Sequence, residues 1–285
     1  MLSIIACLVC DLPAARKAAQ LAGPTSHFYC TACHCWHRST CGRTDIQTED
    51  WVLRDKNEVY CYAELWKNTE TSVERNKLFS LHSVRWSTLW RLSYWDPSRQ
   101  IVVDTMHCLL EGLAHAHFQV MWRISDVIKT TDTPSFLRSV PYNFGETKAG
   151  TVKADEWRTL TTVYLPIALI SLWGEGSVHR NTDIADSRRA TLDHTMALVS
   201  AIHIACLRSM MTDRADTYHT YIVEWIRDLQ VIHPHAHHRT NGHMVLHVWD
   251  YLQLFGPVRS WWCFPYERLI GQLQRLPSNH IFGNI

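Results

Sequence analysis

The stretch that decides the fold runs from Gln100 to Leu113 and reads QIVVDTMHCLLEGL. Residues 100–104 are a short apolar run ending in an aspartate, which is the pattern of a buried β-strand with a polar group at its end. Beyond Asp104 the apolar residues Leu109, Leu110 and Leu113 follow helical spacing. The change of period at one aspartate predicts an α/β core that leads directly into a helical region.

A second strand-like run lies at the start of the chain. Residues 2–10 are apolar and end at Asp11, and Pro13 opens a predicted helix that extends to Leu21. Further helices are predicted at 59–81, 154–173, 184–212, 214–231, 242–254 and about 265–276. We expect Pro166 to kink the helix at 154–173, and a polar loop is expected at 130–152. The pattern favours an α/β remnant with a helical insertion over a doubly wound sheet.

The composition indicates a globular chain. Of 285 residues, 46% are hydrophobic and 19% are charged, which is enough apolar material for a core. The 28 Lys plus Arg and 27 Asp plus Glu give a net charge of +1, so overall charge gives no hint of nucleic acid, although a local basic patch stays open. No apolar run reaches the roughly 18 residues of a membrane span, and the first ten residues lack the cationic start of a signal peptide.

A Cys/His-rich loop is expected at about residues 26–58. It contains the CxxC pair Cys30 and Cys33, and soft thiolates with imidazoles suit zinc. The candidates for two further ligands are His34, Cys35, His37 and Cys41 nearby, and His107, His243 and His247 at a distance. The alternatives are a set of reduced, buried thiols, or a redox CxxC, which would follow a strand and open a helix.

Histidines are also grouped in the last third of the chain. His243 and His247 are four apart on a predicted helix and can face one way. The zinc-protease pattern is excluded because Met244, and not a glutamate, follows His243. The histidines around Pro234 are expected to lie in a solvated loop; they are His233, His235, His237 and His238.

Three acidic residues occupy positions typical of catalytic groups. Asp11 and Asp104 each end a predicted strand, and Glu267 lies at the start of the last helix. Carboxylates that converge from distant segments can hold two divalent cations for phosphoryl transfer. The alternative is that each aspartate caps the following helix and that Glu267 is a helix-start charge. Asp104 and His107 lie one helical turn apart and could share a site.

Three blocks of this sequence together resemble the CACTA-type (En/Spm-like) DDE transposases, especially their fungal branch. CDLPAARKAAQLAG followed by FYCTACHC is similar to the second-aspartate and CxxC region of that family. LSYWDPSRQIVVDTMHCLLEGL is similar to its D-x-x-H region, and LFGPVRSWWCFPYERLIGQLQRLPSNH to its last catalytic segment. The order and approximate spacing agree from residue 10 to about 280.

The resemblance implies a partial ribonuclease-H-like α/β core with a large all-α insertion, mostly helical overall. The implied domains are 1–110 with the Cys/His-rich loop, a helical insertion at 111–255, and a return to the core at 256–285. It also implies cleavage and joining of transposon-end DNA with Mg²⁺ or Mn²⁺, in the nucleus, with self-association as an option. The implied roles are Asp11 and Glu267 as magnesium ligands, Asp104 and His107 as the D-x-x-H, and Cys30 with Cys33 as zinc ligands.

The family carries its first catalytic aspartate on an earlier strand, which this sequence does not contain. We therefore expect an N-terminally truncated copy without activity of its own. The alternative function is a non-catalytic, zinc-stabilised protein of transposase descent that binds DNA or a protein. A zinc-stabilised helical protein unrelated to transposases is the third hypothesis.

Overall fold

The computed structural model describes residues 5–35, 52–118, 140, 152–174, 182–236 and 239–276, with only the backbone at 182–185. This part of the chain is mostly helical, as predicted, and contains no β-sheet. The helices are α1 (Leu12–Ala19), α2 (Lys56–Asn68), α3 (Ser72–His82), α4 (Met106–Ala114, π-helical, continued by His115–Phe118), α5 (Ala154–Thr159, Leu160–Tyr164 and Leu165–Trp173), α6 (Thr182–Ala205), α7 (Thr212–Ile232), α8 (Thr240–Met244, Val245–His247 and Val248–Phe255) and α9 (Phe264–Leu273). Shorter helical turns lie at Thr88–Arg91, Pro97–Gln100 and Val258–Ser260.

The two predicted strands do not form regular strands in the described residues. They lie side by side in parallel, but a single bridge between Leu8 and Ile101 joins them. The Leu8 amide donates to the carbonyl of Gln100 at 2.6 Å. A lone parallel pair is marginally stable because it needs neighbouring strands to bury both faces. The prediction of two strands was therefore wrong in form, although it identified two segments that meet.

Local capping signals define the N-terminal helices. The Asp11 carboxylate accepts from the Ala14 amide at 2.7 Å, so α1 begins where the sequence predicts a helix. The predicted helix at 59–81 is two helices, because Thr71 caps a new one by accepting from the Glu74 amide at 3.2 Å. The residues at 36–51 and most of 130–152 lie outside the described structure.

Helix α5 changes its hydrogen-bond pattern just before Pro166. The segment Leu160–Tyr164 is π-helical, and regular α-helix resumes at Leu165 with Pro166 in the first turn. Proline has no amide hydrogen to donate to the preceding turn, so a local irregularity is expected there. A change of hydrogen-bond pattern therefore lies just before Pro166, where the sequence predicted a kink.

The described residues form two hydrophobic clusters. The larger one packs α4, α5, α6, α7 and α8 around residues such as Leu109, Leu165 and Tyr218. The smaller one joins α1 and α2 around the fully buried Trp95 and Ile101. The apolar residues Leu269, Ile270 and Leu273 of the last helix belong to neither cluster, and Leu269, for example, is 53% exposed.

Gly112 allows α4 to approach the start of α8 closely. A Cβ at this position would collide with the Asn241 side chain and press on the His107 carbonyl. At the same interface the Cys108 thiol donates to the Asn241 carbonyl at 3.6 Å. The helix that carries His107 therefore lies against the helix that carries His243 and His247.

Candidate metal centre

The CxxC pair lies in a tight loop that follows the buried Tyr29. The amides of Ala32 and Cys33 both donate to the Cys30 sulfur, at 3.4 and 3.3 Å. Such donors favour the thiolate over the thiol, since they bind the charged form. The backbone of Cys33 also forms a single antiparallel β-bridge with Leu53, so the loop is fixed to the chain just before α2.

Two imidazoles from α8 complete a group of four potential ligands. This Cys/His group consists of Cys30, Cys33, His243 and His247. His247 Nε2 lies 3.4 Å from the Cys30 sulfur, and His243 Nε2 lies 3.2 Å from the Cys33 sulfur. The two Nε2 atoms are 3.3 Å apart, and all four ligand atoms lie within 4.8 Å of one another. All four residues are buried, so these groups meet away from solvent.

These separations match a tetrahedral zinc shell. With Zn–S near 2.3 Å and Zn–N near 2.0–2.1 Å, tetrahedral geometry puts neighbouring ligand atoms roughly 3.3–3.8 Å apart. The sulfur–nitrogen distances of 3.2 and 3.4 Å and the nitrogen–nitrogen distance of 3.3 Å lie at or close to this range. The buried group could therefore hold a metal ion such as zinc.

Asp250 orients one of the histidines. Its carboxylate lies 3.1 Å from Nδ1 of His247, one turn along α8. A carboxylate at Nδ1 keeps the proton there and leaves the Nε2 lone pair directed at the site, which is the usual arrangement behind a metal-bound histidine. The sequence analysis did not predict a role for Asp250, although its spacing of three residues from His247 could have indicated one.

The metal-free group carries strongly shifted pKa values. Burial alone would raise the pKa of Cys30, but the hydrogen bond from Cys33 and the charges of His247 and His243 hold it well below its usual range. The same thiol–thiolate bond raises the pKa of Cys33. Burial opposes protonation of His247, yet the Cys30 thiolate and Asp250 raise its pKa to about 10.

Two buried arginines donate hydrogen bonds to the backbone of the CxxC loop and of the residues just before it. Arg16 donates to the Tyr29 carbonyl at 3.0 Å, and Arg54 donates to the carbonyls of Phe28 and Cys33 at 3.2 and 3.4 Å. Both residues are nearly inaccessible to solvent. They fix the loop backbone and add positive charge beside the two cysteine sulfurs. Neither residue was predicted, because a buried arginine has no signature in a single sequence.

The other zinc candidates have different places. His34 pairs with Glu58 at 3.3 Å, and the Cys35 sulfur lies 3.1 Å from the Tyr29 hydroxyl at the edge of the group. His107 lies in a separate cluster, and His37 and Cys41 fall outside the described residues. The structure therefore selects the distant pair on α8 from the alternatives that the sequence left open.

Asp104, His107 and Glu267 form a second cluster. The buried Asp104 carboxylate accepts from the Cys263 amide at 2.8 Å and lies 2.6 Å from His107 Nδ1. On its other side, His107 Nε2 lies 3.0 Å from the Glu267 carboxylate, which is half exposed. The hydrogen bond to Asp104 is the main cause that raises the pKa of His107. Three of the residues that the sequence selected thus meet in one place.

Asp11 has a different role in the structure. Its carboxylate caps α1. Among the described residues, neither Asp11 nor Glu267 belongs to a group of three or more potential ligands that converge within 4.8 Å. The catalytic roles assigned by resemblance to Asp11, Asp104, His107 and Glu267 stay predictions.

The sequence matches no family model and shows no significant similarity to a curated protein. Within the described part of the chain, no helix combines the length and apolar character needed to cross a membrane.

Proposed function

We propose that this protein is a zinc-stabilised DNA-binding protein of CACTA-type DDE transposase descent. Zinc would bind to Cys30, Cys33, His243 and His247, and DNA would bind in an arginine-lined cleft beside α9. The observation that carries the proposal is this cleft, because it supplies the local positive charge that the overall composition lacks. A nuclear location and association of copies on DNA ends belong to the same proposal.

The zinc site would be structural. Four protein ligands close the coordination shell and leave no position for substrate, which is typical of structural rather than catalytic zinc. The ion would join the CxxC loop to α8, over sequence separations of 217 and 210 residues. Zinc binding would therefore contribute directly to the free energy of folding.

The same connection would position the cleft. Helix α8 is followed by the turn Val258–Ser260 and then by α9, and these two elements provide Arg259 and Arg268. Trp261, Trp262 and Phe264 are buried between them and fix the direction of the chain. Trp261 and Trp262 are thus core residues.

The cleft has a volume of about 530 Å³ and is rich in positive charge. Arg158, Arg208, Arg259 and Arg268 all line it, together with His203 and one acidic residue, Asp155. The pKa of Arg259 is lowered first by burial and then by the charges of Arg158 and Arg208. Mutual repulsion of this kind indicates that the cleft contains excess positive charge, which an anion would neutralise.

The phosphate backbone of DNA fits this chemistry. Arginine binds phosphate oxygens with two parallel hydrogen bonds, and neutralisation of phosphates supplies most of the sequence-independent affinity for DNA. The guanidiniums of Arg158 and Arg259 also lie 5.9 and 5.1 Å from the Trp262 ring. Contact with the ring holds both arginines in place, so less side-chain freedom would be lost on binding.

Descent from a ribonuclease-H-like core is supported by one contact. The parallel bridge between Leu8 and Ile101 brings together the two segments that the apolar pattern predicted as strands. Each segment is followed by an aspartate, Asp11 and Asp104. The proposed core remains a partial one, with the helical body packed against it.

The described arrangement does not fit catalytic magnesium. Mg²⁺ requires an octahedral set of oxygen ligands, whereas both oxygens of Asp104 already accept hydrogen bonds from protein groups. Glu267 is paired with His107, and Asp11 caps a helix. We therefore derive no catalytic step through magnesium or manganese.

A second candidate function is phosphodiester cleavage at the Asp104–His107–Glu267 cluster. It is favoured by the position of His107 between two carboxylates, which raises its pKa and keeps the imidazolium available. If Glu267 released His107, water could attack the phosphorus and break the bond to the leaving oxygen, which would take the Nε2 proton of His107, while the Glu267 carboxylate took the proton of the water. The half-exposed Glu267 is accessible to a substrate in a way that Asp104 is not.

Both functions can be tested on the full chain. DNA affinity is measured by fluorescence anisotropy of a labelled duplex over a salt series, with Arg208→Gln/Arg259→Gln as the test variant and Arg227→Gln as the control, because Arg227 is already paired with Asp228 at the surface. We expect the double variant to lose affinity and the control to retain it. Equal affinity of all three proteins would contradict the proposed cleft.

Nicking of supercoiled plasmid, with and without divalent cations, tests the second candidate. Cleavage by the wild type that Glu267→Gln abolishes would assign catalysis to the cluster. If the wild type does not cleave, or if Glu267→Gln cleaves equally well, the cluster is not catalytic.

A further inference from the structure

Three further histidines meet inside the helical body. They belong neither to the group of Cys30, Cys33, His243 and His247 nor to the Asp104–His107–Glu267 cluster. His117 comes from the end of α4, His194 from α6, and His233 from the residue that follows α7. One ring nitrogen of each lies within 4.8 Å of one ring nitrogen of the other two. The ring centroids are 5.3–5.5 Å apart. His233 was expected in a solvated loop, but its Nε2 is buried.

The hydrogen bonds around His117 fix its tautomer. The Thr195 hydroxyl donates its single proton to the Thr191 carbonyl at 2.7 Å. It can therefore only accept in its 3.0 Å interaction with His117 Nε2. His117 Nε2 must carry the proton, and a neutral ring then has its lone pair on Nδ1.

His194 is fixed in the same way. Its Nε2 lies 2.8 Å from the carbonyl oxygen of Trp225, which can only accept, so the proton is again on Nε2. The remaining nitrogen, Nδ1, is buried and has no hydrogen-bond partner, although the residue is only 5% exposed. His233 Nε2 is also buried without a partner.

Core packing alone does not explain this arrangement. The rings do contact apolar neighbours, and His194 stacks on Trp225 at 5.8 Å. Packing, however, would be served equally well by Phe or Leu, which bring no unpaired nitrogen into the interior. Burial also lowers the pKa of all three imidazoles, most strongly that of His117. Neutral imidazole is the form that binds metal ions.

We propose that His117, His194 and His233 bind one divalent transition-metal ion of the zinc type. Nδ1 of His117 and Nδ1 of His194, which these hydrogen bonds leave unprotonated, would be two of the ligands, and the buried Nε2 of His233 would be the third. The Thr195 hydroxyl and the Trp225 carbonyl are the outer partners that fix the rings, as such partners do in known metal sites. Three protein ligands leave a fourth position for water or another small ligand. This site is independent of the Cys/His group and of the arginine cleft.

Cobalt titration of the metal-free full-length chain distinguishes the two metal sites. A Co²⁺ ion bound by cysteine gives intense thiolate-to-metal charge-transfer bands, whereas one bound by three histidines gives only weaker ligand-field bands. We expect wild-type protein to bind two equivalents, of which only one produces charge transfer. Saturation at one equivalent that produces charge transfer would overturn the proposal, whereas one equivalent without charge transfer would contradict metal binding by Cys30 and Cys33 instead.

Two variants locate the second equivalent. His194→Phe keeps an aromatic ring against Trp225. It should lose the second equivalent of cobalt and keep the charge-transfer bands. The matched control is His82→Phe, at a ring stacked on Tyr62, which should bind both equivalents. Thr195→Val keeps the shape of the core and should lower the affinity for the second cobalt ion about 10- to 100-fold. This variant still tests the proposal if His194→Phe fails to fold. Unchanged binding of the second equivalent in Thr195→Val, or in a folded His194→Phe, would place that ion elsewhere and overturn the proposal.

Discussion

The Cys/His group and the Asp104–His107–Glu267 cluster are both built from distant segments, yet they have opposite character. The first is buried throughout, and its ligand atoms face one another with sulfur and nitrogen donors. In the second, Asp104 is satisfied by backbone and imidazole donors, while Glu267 is half exposed. A closed set of soft ligands is suited to holding the fold together, whereas an open set of carboxylates is suited to meeting a substrate. Substitutions in the two regions should therefore have different effects.

Removal of a zinc ligand should have the largest effect. We expect Cys30→Ser to release zinc and to lower the free energy of unfolding by about 4–5 kcal/mol or more, which is roughly 10 °C or more in Tm for a chain of this size. Metal content and thermal unfolding are measured together. Cys61→Ser, at an exposed free cysteine, is the control and should change neither. A wild-type protein that contains no zinc and has the same Tm as Cys30→Ser would contradict a structural metal.

Asp250→Asn should have a smaller effect at the same site. The asparagine can keep the size of the side chain but no longer carries the charge that holds the His247 proton on Nδ1. Zinc affinity, measured by competition with a chelator, should fall about 10- to 100-fold. The control is Asp193→Asn, an exposed residue on α6. Unchanged affinity in Asp250→Asn would mean that His247 is oriented by packing alone.

Charge removal in the cleft should weaken DNA binding without affecting zinc. For Arg208→Gln/Arg259→Gln we expect the slope of log affinity against log salt to fall by about 1 for each phosphate that the protein no longer neutralises. The zinc content of the same preparation is the internal reference, because Cys30→Ser should lose zinc first and DNA binding as a consequence. If the cleft variant loses zinc as well, the two regions are not separable.

Removal of His107 should alter the pH dependence of stability by a small amount. The folded pKa of His107 is raised, mainly by Asp104, so its contribution is present below the unfolded value of about 6.5 and is lost as pH rises through the folded value. The difference in Tm between wild type and His107→Gln should therefore shrink by a few degrees at most as pH rises. His235→Gln, at an exposed position, should show no such trend, and a constant difference for His107→Gln would rule out this ion pair.

The sequence predicted individual residues better than their partners. The period of the apolar residues located the helices, and the spacing of His243 and His247 correctly put both on one face. It could not choose between them and His34 or Cys35, because only tertiary packing decides which helix reaches the CxxC loop. The strands at 2–10 and 100–104 failed because a strand depends on neighbours that local sequence does not specify. Arg16 and Arg54 were missed for a similar reason, since their burial depends on carbonyls provided by the loop.

The most direct test of the central claim is X-ray absorption at the zinc edge of the full chain loaded with one equivalent of zinc. Zinc bound by Cys30, Cys33, His243 and His247 predicts two sulfur ligands near 2.3 Å and two nitrogen ligands near 2.0–2.1 Å, with the sulfur signal absent in Cys30→Ser/Cys33→Ser. A shell of nitrogen and oxygen alone, or four sulfurs from the cysteine-rich loop, would contradict the account.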